Sequence, residues 1–200
     1  MPTQEERKEA TRTAILDIAE VMFGDWGYEG TSTDAVAAKA GVAKGSVYKH
    51  FPTKRDLFAA VFERVAAGVA TKAAAAAASQ SDILKAMIQG VEAFFLACAE
   101  PKVCQIKLRD GPGVLGWEDW RAQDAAHFGG LVRLSLEAAM AAKAIRTQPI
   151  EPLTQMMLGA FQAAAIDCAA SADFDATAKH YLTVTEALLS GLKCMRVCQS

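Results

Sequence analysis

Nowhere do the 200 residues stay apolar for the ~18–20 positions that a membrane-spanning helix needs, so no transmembrane segment is expected. The opening MPTQEERKEATR is charged and lacks the apolar h-region of an export signal, which predicts a cytoplasmic protein. Histidine is scarce: His50, His127 and His180 stand far apart, and no phosphate loop, metal-ligand spacing or nucleophile signature accompanies them. An enzyme is therefore not expected, and Asp124 with His127 is the one pair to watch. No metal and no cofactor are expected either. The five cysteines (Cys98, Cys104, Cys168, Cys194, Cys198) are an odd number scattered through apolar helical pattern and read as reduced thiols. Cys194 and Cys198 share a helical face but have no His or third Cys to complete a zinc site. Strand alternation and internal repeats are also missing.

What is present is helical throughout. With 52% hydrophobic and 22% charged residues, the chain can bury a large core and an oligomer interface besides. Ile15, Ile18, Met22 and Trp26 recur at spacings of three and four, which predicts an amphipathic first helix ended by Gly27. Thr53 and Asp56 form a cap-box-like pair opening a long helix. Its inner face carries Leu57, Phe58, Val61, Phe62, Val65 and Val69, and it runs into the alanine stretch 73–78. Ser81 is expected to cap the next helix, whose stripe is Leu84, Met87, Ile88, Val91, Phe95 and Cys98. A short helix over 102–108 precedes a turn-rich loop at 110–113. A long helix follows over 117–143, with Gly129-Gly130 as a kink or close-packing point, and two more begin near Pro149–Pro152 and Asp175.

Residues 31–55 (TSTDAVAAKAGVAKGSVYKHFPTKR) carry the most information. Thr31 and Ser32 can cap a short helix, and Thr31 with Asp34 has capping-box spacing. Gly41 supplies the turn, and a second helix runs from about Lys44 to His50 before Pro52. This is the helix-turn-helix layout. Between Asp34 and Asp56 stand Lys39, Lys44, Lys49, Lys54 and Arg55 with no acid, a basic island on a chain of net charge −2. Such an island suits phosphate contact, although an ordinary solvated helical hairpin has the same spacing.

The stretch 10–62 resembles the N-terminal domain of TetR-family transcriptional regulators. The match is carried by Ile15, Ala19, Phe23, Gly27, Tyr28, Thr31, Ala37, Ala40, Gly41, Val42, Lys44, Gly45, Val47, Tyr48, Phe51, Lys54 and Leu57. Ala43 departs from the family's usual capping Ser or Thr, and Arg55 stands where an acid is frequent. The resemblance implies an all-α protein of about nine helices. A three-helix DNA-binding domain over 1–55 would lead, through a connecting helix at about 54–78, into an effector-binding and dimerisation domain over 56–200. It implies DNA contacts from Ser32, Thr33, Lys44, Gly45, Ser46, Tyr48, Lys49, His50 and Lys54 on a pseudo-palindromic operator. It also implies repression relieved by a small molecule.

Segments 109–121 and 145–152 resemble one group of TetR-like C-terminal domains, without naming a ligand. Across the family this domain holds a mostly apolar effector pocket. The candidates here are Phe62, Phe95, Leu108, Trp117, Trp120, Asp124, His127, Phe128 and Phe161. Trp120, Asp124 and His127 fall on one helical face, where an acid among aromatics could receive a cationic or hydrogen-bonding effector. The same periodicity fits tryptophans that close a core and a solvent-facing Asp124–His127 pair. Residues 156–166 are apolar nearly all round and need cover on more than one side. A central core helix in a monomer would supply it. The family's four-helix dimer would too, through Met156, Gly159, Ala160, Ala163, Tyr181, Val184 and Leu188. A thiol sensor at Cys104, its pKa lowered by Lys102 and Lys107, stands as the alternative to a ligand.

Overall fold

The computed structural model describes residues 3–193, so Cys194 and Cys198 lie outside it. Among the described residues the regular structure is helical apart from one isolated antiparallel bridge between Ile145 and Lys193. The helices are α1 (Gln4–Gly30), α2 (Thr33–Ala40), α3 (Lys44–His50), α4 (Lys54–Ala78), α5 (Ile83–Ala99), α6 (Pro101–Val103), a π-helix (Cys104–Asp110), α7 (Gly111–Leu115), α8 (Trp117–Ala141), α9 (Ile150–Ala170) and α10 (Phe174–Gly191). Taking the continuous winding 101–115 as one element gives the nine expected. No helix is long and apolar enough to cross a membrane among the described residues.

The chain forms two compact units. The first is Met1–Ala66 with Glu100–Trp120, and the second is Ala67–Ala99 with Arg121–Ser200. The expected boundary falls at residues 55 and 56, whereas compactness divides the chain after Ala66 and gathers 100–120 with the N-terminal helices.

In the first unit Ile15, Ala19, Met22 and Phe23 of α1 and Leu57, Phe58, Val61 and Phe62 of α4 are all buried. Burial of each Phe contributes about 1.5–3 kcal/mol. Phe58 meets Phe23 and Tyr28 edge-on at 5.2 and 5.3 Å. Arg64 of α4 pins α1, pairing with Asp17 at 2.7 Å and Glu20 at 2.6 Å. Trp26 departs from the expected inner stripe: it is half exposed, with the Lys39 ammonium 4.0 Å from its ring centre. Gly27, with φ of +70°, breaks the helical winding just beyond it.

Four local expectations change. Ser32, not Thr31, caps α2 by accepting from the Ala35 N–H. The Thr31 hydroxyl is buried and donates back to the Gly27 carbonyl, so no Thr31–Asp34 box forms. Asp82, rather than Ser81, caps α5 by accepting from the Lys85 N–H at 2.9 Å. The loop at 110–113 is wound into helix, with Pro112 in a first turn where a missing N–H costs nothing. Gly111 makes that winding dense. A Cβ there would lie 3.0 Å from Trp120, 3.1 Å from the Ile106 carbonyl and 3.2 Å from Phe62.

In the second unit Leu136, Ala139, Ile145, Met157 and Leu189 form a buried cluster from α8, the α8–α9 connection, α9 and α10. Asp173 caps α10 by accepting from Ala176. The Arg146 N–H donates to the Leu192 carbonyl, tying the α8–α9 connection to the end of α10.

Candidate nucleic-acid interface and internal cavity

Gly41 ends α2 with φ +68°, a conformation that only a residue without Cβ adopts freely. α3 follows without a side-chain cap, as Ala43 predicts, and only its Val47 is fully buried. Lys44, Gly45, Tyr48 and Lys49 are exposed; Ser46, His50 and Lys54 are half-buried. The exposed groups are held rather than loose. The Thr33 and Tyr48 hydroxyls lie 3.0 Å apart, with Thr33 itself buried. The Lys44 ammonium donates to Asp34 at 2.7 Å, and that bond together with the charge of Asp34 raises its pKa above the ordinary lysine value.

The start of α4 is fixed as its sequence predicts. Asp56 accepts from both the N–H and the hydroxyl of Thr53, and Thr53 Oγ1 accepts from the Asp56 N–H. The Lys54 ammonium stands 4.1 Å from the Tyr28 ring centre. Burial, then the nearby Glu29 charge, raises the Tyr28 phenol above its usual value, against the opposing charge of Arg55. Arg55 turns inward along its own unit, donating to the Val114 and Leu115 carbonyls and pairing with Asp119 at 2.9 Å. Asp110 accepts from the Tyr28 N–H at 2.8 Å. The residue that departs from the family pattern thus ties α4 to the segment 114–119.

Within the second unit lies a cavity of about 250 Å3 bounded by α4, α5, α8, α9 and α10. Ala73, Ala74 and Ala77 form part of its wall, so the alanine stretch leaves space where larger side chains would fill it. Phe94 and Phe128 meet edge-on at 5.3 Å, and Phe161 and Leu131 add further apolar wall. Asp124, only 1% exposed, and Gln162 bring polarity, the Gln162 Nε2 donating to Asp124 Oδ2 at 3.1 Å. Ser135 adds one hydroxyl. Of the expected ligand residues, Asp124, Phe128 and Phe161 line this space. Gln162, Phe94 and Leu131 were not anticipated, although Gln162 is the one strongly polar residue inside the apolar run of α9.

The others are placed elsewhere. Phe62, Leu108 and Trp120 are buried in the first unit, where Trp120 Nε1 donates to the Lys107 carbonyl at 2.9 Å. Trp117 is 52% exposed and stacks on Trp120 at 5.0 Å. Phe95 stacks on Tyr181, and His127 is half-buried on α8, outside the cavity wall. Periodicity gathered these side chains on one helical stripe, but α8 passes from one unit to the other within that stripe. Asp124 is buried rather than solvent-facing.

Residues 84–192 match the model described as the tetracyclin repressor-like C-terminal domain, and residues 15–61 match that of bacterial regulatory proteins of the tetR family. The chain belongs to the TetR family. Over 61 residues it is 43% identical to the HTH-type transcriptional regulator AcrR of Shigella flexneri, a match taking in 30% of this chain and only 28% of that relative. A TetR-family transcriptional regulator of Pectobacterium atrosepticum superposes with a TM-score of 0.85 at 26% identity, covering 96% of this chain and 98% of the other. RolR, solved in complex with resorcinol, shares the fold at 15% identity and a TM-score of 0.73, covering 98% of this chain and 99% of the other.

In this TetR-family chain the expected dimer residues present an open apolar stripe. Met156 (73% exposed), Ala160 and Ala163 lie at i, i+4 and i+7 on α9, and Val184 and Leu188 are exposed on α10. Gly159 and Tyr181 are half-buried, the Tyr181 hydroxyl donating to Asp167 at 2.9 Å. That hydrogen bond is the first cause of a raised Tyr181 pKa. Cys104 contradicts the expectation of a lowered thiol pKa: it is buried, and desolvation pushes the thiol up despite the opposing influence of Arg109. Lys102, expected to help ionise it, pairs with Asp25 at 3.2 Å. Among the described residues no cluster of three His, Cys, Asp or Glu stands ready for a metal.

Proposed function

We propose that this TetR-family protein is a dimeric, ligand-responsive transcriptional repressor. The observation that carries the reading is the presence of an exposed cationic helix-turn-helix in one unit and a largely apolar cavity in the other. α3 enters the major groove, with Lys44, Tyr48, Lys49, His50 and Lys54 on phosphates and Ser46 near base edges, while the buried Thr33 holds Tyr48. Ser32 lies at the phosphate-facing start of α2. A Cβ on Gly45 would meet nothing within the chain, so its value lies in letting the backbone approach DNA. The open stripe of α9 and α10 joins two copies, and the dyad sets two recognition helices on a pseudo-palindromic operator.

A small molecule fills the cavity and favours a head arrangement that the operator does not accept, so that ligand and DNA weaken each other equally. RolR, solved with resorcinol, supports a small aromatic effector as one this fold can hold. Selection of genomic fragments by the purified protein tests the reading. One inverted-repeat sequence bound with steep salt dependence is expected, and absence of any enriched repeat would overturn it. Reporter expression that rises when the protein is deleted separates repression from activation.

A further inference from the structure

We infer that the cavity selects its ligand by the size and shape of the apolar body, taking two fused rings, and that Ala74, with Ala73 and Ala77, sets this limit. This rests on reading the cavity as the effector site. Along α4 the buried bulky side chains end at Val69, and alanine takes over. Ala73, Ala74 and Ala77, at i, i+1 and i+4, line the cavity with methyl groups. α5 backs that wall. A Cβ on Gly90 would stand 3.4 Å from the Ala77 Cβ and 3.5 Å from the Ala73 carbonyl. With the two helices already in contact there, the wall has no room to retreat when a larger body presses on it. Phe128, Leu131 and Phe161 supply bulkier wall from α8 and α9.

Volume then decides among ligand bodies. An apolar cavity of ~150 Å3 holds one benzene, and this one is about 250 Å3. A single ring leaves part of the wall without contact, and a second fused ring restores it. Four fused rings exceed the space. Leu134 lines the cavity while 63% exposed, so one side reaches solvent. A long flexible chain would fit only by folding back, which costs rotamer freedom, or by leaving its tail in water. The preference concerns the body alone and holds for whatever head group faces Asp124, Gln162 and Ser135.

The test is a ladder of bodies that share one hydroxyl: phenol, 2-naphthol, 1-hydroxypyrene and decan-1-ol, each titrated into the full-length protein. 2-Naphthol should bind at least about tenfold more tightly than each of the others, although hydroxypyrene and decanol are the more hydrophobic. Ala74→Leu, which keeps a good helix former, should weaken 2-naphthol at least about tenfold and leave phenol within about threefold. Retained phenol binding also shows that this variant folds. Leu131→Ala enlarges the space and should tighten hydroxypyrene by about fivefold or more. Equal affinity along the ladder, or decanol binding best, overturns the ring selectivity while leaving the cavity as a ligand site. Equal weakening of phenol and 2-naphthol by Ala74→Leu overturns Ala74 as the determinant of size. Tight binding of 2-naphthol that leaves DNA affinity unchanged overturns the effector reading and leaves the size limit standing. Failure of all four to bind the unaltered protein overturns both.

Discussion

Around α3 the chain carries its polar groups outward, each lightly tethered: Lys44 to Asp34, Tyr48 to Thr33, Lys54 against Tyr28. Around the cavity, Asp124 and Gln162 are sealed inside an apolar wall and bonded to each other. The same kinds of atoms therefore act under opposite rules. On α3, water screens every charge, so no single contact dominates and binding to a polyanion is a sum of small, salt-sensitive terms. In the cavity, one polar pair stands in low dielectric, and a single mismatched atom is costly. The first arrangement suits a partner with a repeating charge, and the second suits a molecule that must be told from its analogues.

The sharpest way to break that comparison is Trp120, which helical periodicity places with the cavity and burial places in the first unit. Trp120→Ala should cost about 3–5 kcal/mol in urea unfolding, since a fully buried indole and its bond to the Lys107 carbonyl are lost. Trp120→Phe, which keeps most of the packing, should leave the affinity for a small aromatic effector within about twofold if the two regions are separate (a change below roughly 0.4 kcal/mol). A tenfold loss would merge them.

Next in size is the α9–α10 stripe. Ala163→Glu places a charge on an exposed position, so the fold should survive while dimer dissociation strengthens by at least about tenfold, or 1.4 kcal/mol. Sedimentation of both proteins at micromolar concentration checks it. An unaltered protein that is already monomeric would remove the dimer.

On the DNA side, Thr33→Val deletes the partner of the Tyr48 hydroxyl and should lower thermal stability by about 1 kcal/mol. Operator affinity should fall with it, because Tyr48 is no longer held. The smallest effects should come from charge. Lys54→Ala should flatten the dependence of operator binding on salt by about one ion, and Asp34→Asn should steepen it by about one by releasing Lys44. Fluorescence anisotropy across a salt series reads both, and unchanged slopes would remove these lysines from the phosphate contacts.

Much of the first unit can be read from local sequence because its devices are local. Gly41 between two short helices, Thr53 bonded to Asp56 and the uncapped start at Ala43 are each decided by a few adjacent residues. Errors arise where two local solutions compete and packing chooses. Thr31 could cap α2 but is buried, so Ser32 does. Residues 110–113 have turn chemistry but are wound tight under Trp120 and Phe62. The cavity is harder to read for a different reason: its wall draws on five helices, and no spacing along one of them reveals which stripe faces a void. That Asp124, Phe128 and Phe161 line it is legible because aromatics and an acid on a helical face are conspicuous. Phe94 was hidden by its neighbour Phe95, and the alanines by seeming to bury nothing.

The discontinuity of the first unit bears on how the chain must be made. Residues 100–120 supply the Asp110 carboxylate for the Tyr28 N–H, the carbonyls that hold Arg55, and the backbone against the edge of Phe62. During synthesis, at about 5–20 residues per second, the three N-terminal helices emerge several seconds before that segment does. In the interval the nascent chain has a recognition helix with an incomplete foundation. A fragment cut after residue 66 would stay in that unfinished state permanently, so the reader of DNA cannot be excised as the front of the chain.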